Sequence, residues 1–363
     1  MRRTTLEKSQ PLRPLVIGSP NERECRSMCP ITFRTTCSRK CVGWVTMSGI
    51  EKALAGDPFS IDLTQCLLAA QAVESFTPGD AENPWASAPS DSQLVFKLFF
   101  VAICHQINWD FLQRRMYEFF FAKDFGKMIE RAREASAKSV EEMLEGYHRP
   151  ERIRSSERAK YLRTTAGAIS EYLFDNPKSL VASKTVFGEG GLLELIRKIP
   201  AYGEDPLGKK ANAFAQELAR EGIVKFADSD RIPPAIDYHL IRLYLRTGRV
   251  VANDKSIFRV LSTGSTHRMR LVNLLRQAVS EALSQTAAYA RMPPHVLNYL
   301  EWQIGRNRCE HEFMNCDGPW PAELFDGSII AMGAHCPLRD SCTAYHTPEW
   351  KQMLEPALKK AFY

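Results

Sequence analysis

Four cysteines near the end of the chain stand in two tight pairs, Cys309 with Cys316 and Cys336 with Cys342, with six, nineteen and five residues between successive thiols. Thiolates in that number hold a tetrahedral zinc or a cubane iron–sulfur cluster, and the ligand types alone do not choose between them. Structural zinc sites favour two-residue gaps that form knuckles, whereas gaps of six and five residues wrap a larger object. Disulfides are the alternative for the same pairs. No secretory signal with an apolar core opens the chain, so a reducing compartment, and with it metal, fits better.

The elements that must position these thiols are helices. From about residue 60, apolar residues recur at three- and four-residue steps over 61–75, 93–122, 125–145, 156–174, 190–199, 207–221, 236–247, 266–290, 294–307 and 347–361. Turn signals such as TPGD, GEGG, YGEDPLG and RMPP separate them, and no alternating run is long enough for a sheet. The fold class is all-α, without internal repeats. The helix HVLNYLEWQIGRNRC delivers Cys309 at its end. The expected organisation is a disordered basic extension over 1–46, a leading helix and polar linker over 47–92, a helical core over 93–345 with the cysteine loop at 309–342, and a C-terminal helix over 346–363.

With 363 residues, 44% hydrophobic and 25% charged, the chain can bury a core that needs no staple, and no apolar run approaches a membrane span. The net charge of +6 lies entirely in residues 1–46, with nine Lys and Arg against three Asp and Glu; the remainder balances at 39 of each sign. Affinity of the folded part for nucleic acid must therefore come from a local patch. Residues 1–46 show no apolar face to bury, and the fold is expected to begin at about Met47. Cys25, Cys29, Cys37 and Cys41 could bind zinc on spacing alone.

The run LEWQIGRNRC, then Cys316, then CPLRDSC resembles the end of the helix-hairpin-helix DNA glycosylase superfamily, in its endonuclease III and MutY branch. There a helix ending in Gly and Cys leads into a loop that binds a [4Fe-4S] cluster. This chain keeps the first and last gaps and the Pro337-Leu338 dipeptide, but has nineteen residues where the family has two; loop length between ligand pairs costs little closure entropy. Upstream, IPAYGEDPLGKKANAF followed by PPAIDYHL is similar to the family's hairpin, Lys-x-Ala helix start and Val-Asp-x-His segment. The hairpin itself resembles that of the archaeal 8-oxoguanine DNA glycosylases, a branch without the cluster.

The resemblance implies a two-lobed helix-hairpin-helix fold and excision of a modified base from DNA, as in base excision repair. It implies Asp237 as the carboxylate facing the charge that develops on the sugar. The Lys-x-Ala pattern implies Lys209 as the amine for Schiff-base formation and AP-lyase cleavage. Successive helical residues point about 100° apart, so one lysine alone is expected to face the site, leaving Lys210 for a phosphate contact. Gly208, in the hairpin, would present backbone N–H to phosphate, and Gln106, in CHQINW, would reach the DNA where the base is extruded. Trp109 is expected in the core, Cys104 as a buried apolar residue, and His239 near the active site. The cofactor implied is a [4Fe-4S] cluster on Cys309, Cys316, Cys336 and Cys342, with zinc as the alternative; the partner is DNA containing a modified base, the chain a monomer without membrane attachment, and the location cytoplasmic with the nucleoid, or nuclear. Two rivals stand beside this reading: an N-glycosidase for a small modified nucleoside or nucleotide, of the queuosine salvage type, and a non-catalytic lesion-binding module in which Asp237 merely caps a helix.

Overall fold

The computed structural model describes residues 56–74, 88–121, 127–263, 269–318 and 335–356, with the backbone alone at 120 and 121. The extension over 1–46 with its four cysteines, most of the 76–92 linker and the chain beyond 356 lie outside the described residues. A strand β1 (Phe59–Ile61) and helix α1 (Leu63–Val73) come first. There follow α2 (Ser90–Ile103), α3 (Trp109–Met116), α4 (Met128–Arg133), α5 (Ala137–Met143), α6 (Ser155–Leu173), α7 (Leu192–Ile196), α8 (Pro200–Gly203) and α9 (Lys209–Arg220). The last set is α10 (Tyr238–Arg246), β2 (Val250–Ala252), α11 (Lys255–Ser262), α12 (Met269–Tyr289) and α13 (Pro294–Asn307). The described residues are thus mostly helical, as expected. The one sheet among them, β1 antiparallel to β2, has strands of three residues, too short for alternation to register in the sequence.

The buried apolar side chains fall into two cores. One runs from Leu94 to Ile232; the other joins Phe59–Val73 to Ile236–Met353. The first lobe is therefore inserted between two parts of the second, and helix α1 is an integral part of the second lobe rather than a leading segment: it packs on α12, with Cys66 and Val73 fully buried. Two long helices expected from periodicity are broken. Over 93–122 the chain leaves helix after Ile103, turns through Gln106 at φ 52°, and restarts at α3, whose cap Asn108 accepts the N–H of Phe111 at 2.9 Å. Over 125–145 the break falls before Ser136, which with Ser139 makes a reciprocal capping box that starts α5. Of the expected C-terminal helix, the described residues show only the short helix Pro348–Lys351.

Charges are buried in both lobes, each with a partner, as burial requires. Lys97, on α2, pairs with Glu217 at 2.8 Å and Glu221 at 2.5 Å, fastening α2 to α9. Arg249 pairs with Glu301 at 2.5 Å, and the Tyr244 hydroxyl donates to the same carboxylate. The lobes are tied together by a third pair. Arg276, on α12, donates to both oxygens of Asp205 at 2.9 and 2.6 Å, and both side chains are within 2% of full burial. Burial alone would raise the Asp205 carboxyl, yet Arg276 and two backbone N–H groups hold it below its ordinary range. Asp205→Ala leaves Arg276 charged and buried without this partner, so unfolding in urea should show a loss of about 3–5 kcal/mol.

Candidate active site between the two lobes

Asp205 also builds the hairpin that starts α9. Its oxygens accept the N–H of Leu207 at 3.1 Å and of Lys209 at 2.8 Å, and the chain then turns through Gly208 at φ 64°. That positive φ calls for glycine there; a β-carbon would meet only the end of the Arg197 side chain, at 3.0 Å, which a flexible guanidinium can yield. Lys209 and Lys210 follow as the first residues of the helix. Lys210 points inward: its Nζ donates to the Ala102 carbonyl at 2.6 Å, lies 4.3 Å from the centre of the Tyr161 ring, and its residue is 2% exposed. Burial pushes the Lys210 amine down to about 8, and the charges of Lys209 and Arg158 act in the same direction. Lys209 is half-buried.

The lobes are joined by the connector Pro233-Pro234-Ala235, and three amides hold it. Gln216 donates to the Pro233 carbonyl at 2.8 Å and Asn212 to that of Pro234 at 2.9 Å, both from α9; Asn298, on α13, accepts the Ala235 N–H at 2.8 Å. The prolines have no N–H, so their carbonyls are the backbone groups left to satisfy. The connector delivers Asp237, 6% exposed, as the cap of α10. Its Oδ1 accepts the N–H of His239 at 2.9 Å and of Leu240 at 3.1 Å, while its Oδ2 accepts the Trp302 indole N–H at 3.0 Å. Three of about four lone-pair sites are used, and the carboxylate is fixed in orientation with acceptor capacity to spare.

Lys209, Lys210, Asp237 and Gln106 all line one cavity of about 380 Å³ between the lobes. Its aromatic wall is Trp109, Tyr299 and Trp302, with Trp109 edge-on to Trp302 at 5.8 Å. Trp109 also packs edge-on against Phe100 at 4.4 Å, so it belongs to core and cavity together. Cys104 lines the cavity as well. The turn that carries Gln106 is held by Arg158, which donates to the carbonyls of Ile103 at 2.7 Å and His105 at 2.8 Å. His239 lines the cavity beside Asp237, and burial pushes its imidazole down to about 4. Arg242 can only donate, and its Nη2 lies 3.1 Å from His239 Nδ1, so the neutral ring carries its proton on Nε2.

The same Arg242 reaches the cysteine loop, donating from Nε to the Cys309 carbonyl at 2.6 Å and from Nη2 to that of Gly305 at 3.0 Å. A β-carbon at Gly305 would sit 2.8 Å from the His239 carbonyl, so glycine lets α13 pass against the start of α10. The loop is closed by the Cys336 N–H donating to the Cys316 carbonyl at 2.8 Å. Arg246 Nη1 lies 3.4 Å from Cys309 Sγ, and the Cys342 thiol lies 3.6 Å from the Arg246 carbonyl. Burial, and then the nearby Cys342 and Cys309, push the Cys316 thiol up to about 11; burial, and then Cys309, push Cys342 up to about 11; burial pushes Cys336 well up. Ionisation of Cys316, Cys336 and Cys342 is thus opposed by burial unless a cation is bound among them. Among the described residues no His, Cys, Asp and Glu are gathered tightly enough to hold a single ion. His311 instead lies 3.1 Å from Glu355.

Helical geometry alone placed a single lysine in the site, whereas both line the cavity, because α9 begins at its edge and the first turn lies along the wall. Burial also takes Lys210 away from the surface where a phosphate contact would form. Trp302, Arg242 and Arg276 were missed. Tyr299, Trp302 and Arg306 recur at steps of three and four along α13, a pattern that reads as core until the cavity is seen. No model of a known protein family matches the chain, and a search of curated proteins returns no match.

Proposed function

We propose that the chain is a DNA N-glycosylase, with its active site in the cavity between the lobes. The observation that carries this reading is that a buried amine and an oriented carboxylate, Lys210 and Asp237, line the same cavity from opposite lobes. Asp237 opposes the positive charge that grows on the sugar as the C1′–N bond breaks. The base leaves with the bonding pair and takes up a proton, held among Trp109, Tyr299 and Trp302 while it is out of the stack. In the lyase step the lone pair of a deprotonated amine attacks C1′, the C1′–O4′ bond breaks as one nitrogen proton passes to O4′, and the protonated Schiff base so formed lets C2′ lose a proton while the C3′–O bond breaks and the 3′ phosphate leaves. Lys210, which burial pushes down to about 8, holds a larger deprotonated fraction near neutral pH than an ordinary lysine. The amine role is therefore given to Lys210 rather than Lys209, and the surface role to Lys209. The spacing of the two cysteine pairs in the sequence is the support for a [4Fe-4S] cluster, which when bound would be held by Cys309, Cys316, Cys336 and Cys342 and would tie the loop that Arg242 joins to His239.

A panel of lesion-bearing oligonucleotides, with product analysis, tests the reaction. Asp237→Asn keeps the shape and one acceptor for the cap but removes the charge and the acceptor for the Trp302 indole, so base release should fall by roughly two to three orders of magnitude while binding persists. Full base release by Asp237→Asn on every substrate of the wild type would remove this site from the reaction; hydrolysis of free modified nucleosides alone would point to the small-molecule glycosidase.

Protein purified without oxygen should be brown and carry about four irons, the content of one cubane cluster. Elemental analysis giving one zinc and no iron would replace the cluster with a zinc site.

A further inference from the structure

Three cations line the cavity without an ion pair of their own among the described residues. Arg149 and Arg152 bracket the 3-10 turn Pro150–Arg152, and Lys209 opens α9. All three line the cavity, both arginines are exposed, and none makes a side-chain hydrogen bond or ion pair among the described residues. Other surface arginines are treated differently: Arg115 pairs with Glu118, Arg133 with Asp175 and Arg306 with Asp110. Glu151 stands between the two arginines in the chain and pairs with neither. In a 3-10 turn, residues three apart lie nearly over one another, and the Arg152 N–H donating to the Arg149 carbonyl at 2.9 Å closes that turn. Two like charges so placed repel unless an anion sits between them.

The turn is also anchored. Arg158 donates to the Arg152 carbonyl at 3.2 Å, and the preceding Tyr147 hydroxyl accepts the Asn108 N–H at 3.1 Å. Arg152 is near enough to Tyr238, the neighbour of Asp237, for its charge to act on that phenol, so the turn of the first lobe faces the carboxylate's helix across the cleft. Guanidinium groups match phosphate oxygens in geometry and charge. We infer that Arg149, Arg152 and Lys209 form a phosphate-holding rim that grips the backbone on either side of a nucleotide whose base enters the cavity. This rests on the glycosylase reading and assigns the cations that hold the DNA backbone beside the extruded nucleotide, since a free nucleoside offers such a rim nothing and a nucleotide monophosphate offers one phosphate to three cations.

The test is the salt dependence of binding to a short duplex with one central tetrahydrofuran abasic analogue, followed by fluorescence anisotropy. Each phosphate contact adds about 0.9 to the slope of log affinity against log salt, so Arg149→Gln with Arg152→Gln should make the slope shallower by about 1.8. Arg149→Lys with Arg152→Lys should restore most of it. The pair Lys255→Gln with Arg291→Gln, which removes the same charge away from the cavity, should leave it unchanged. If the wild type binds the duplex and the Gln pair keeps its full slope, or the Lys pair loses as much as the Gln pair, the rim is wrong and the glycosylase reading stands. If the wild type shows no binding to the duplex, both are overturned.

Discussion

The geometry of the cavity depends on the ion pair between Asp205 and Arg276. Asp205 shapes the hairpin by capping Leu207 and Lys209, and the same carboxylate takes both arms of an arginine rooted in the other lobe. One buried group therefore sets both where α9 begins and how that beginning stands relative to the second core. A buried pair is weak as a source of net stability but strong as a constraint, because neither charge can be left alone out of water. The amide clasp on Pro233-Pro234-Ala235 adds a second tie from α9 to the connector. Lysine helix and aspartate cap are thus fixed to one another through two short routes rather than through the bulk of either core.

A third route runs from the aspartate to the cysteine loop. Asp237 caps the helix whose next turn carries His239 and Arg242, and Arg242 ends on the Cys309 carbonyl. Order in the loop should therefore be felt at the cavity wall, where the Arg242 bond decides which imidazole nitrogen bears the proton. The cysteine loop and His239 are linked in this arrangement by backbone and one guanidinium, with no long path of packed side chains required.

Helical periodicity was enough to read the all-α class and most element positions, since α6, α9, α10, α12 and α13 lie within a few residues of the expected ranges. It joined α2 to α3 because their apolar spacing continues in phase; the break comes from Gln106 at positive φ and the Asn108 cap, which periodicity does not weigh. Lys209, Lys210, Asp237 and Gln106, singled out through the resemblance to the helix-hairpin-helix glycosylases, all line the same cavity. Which lysine is buried could not be read from the chain, since it depends on Ala102 and Tyr161, both far away in sequence. Trp302 and Arg276 were silent for the same reason: an indole N–H or a guanidinium on a helix face is told apart from ordinary packing only by what stands opposite.

The proposed reaction gives buried Lys210 the role of the amine that meets the sugar. The most direct measurement is tandem mass spectrometry of the protein after borohydride treatment with abasic DNA. The account predicts the sugar remnant on Lys210 and none on its neighbour. Modification of Lys209 instead, or normal base release by an enzyme that never forms an adduct, would contradict it.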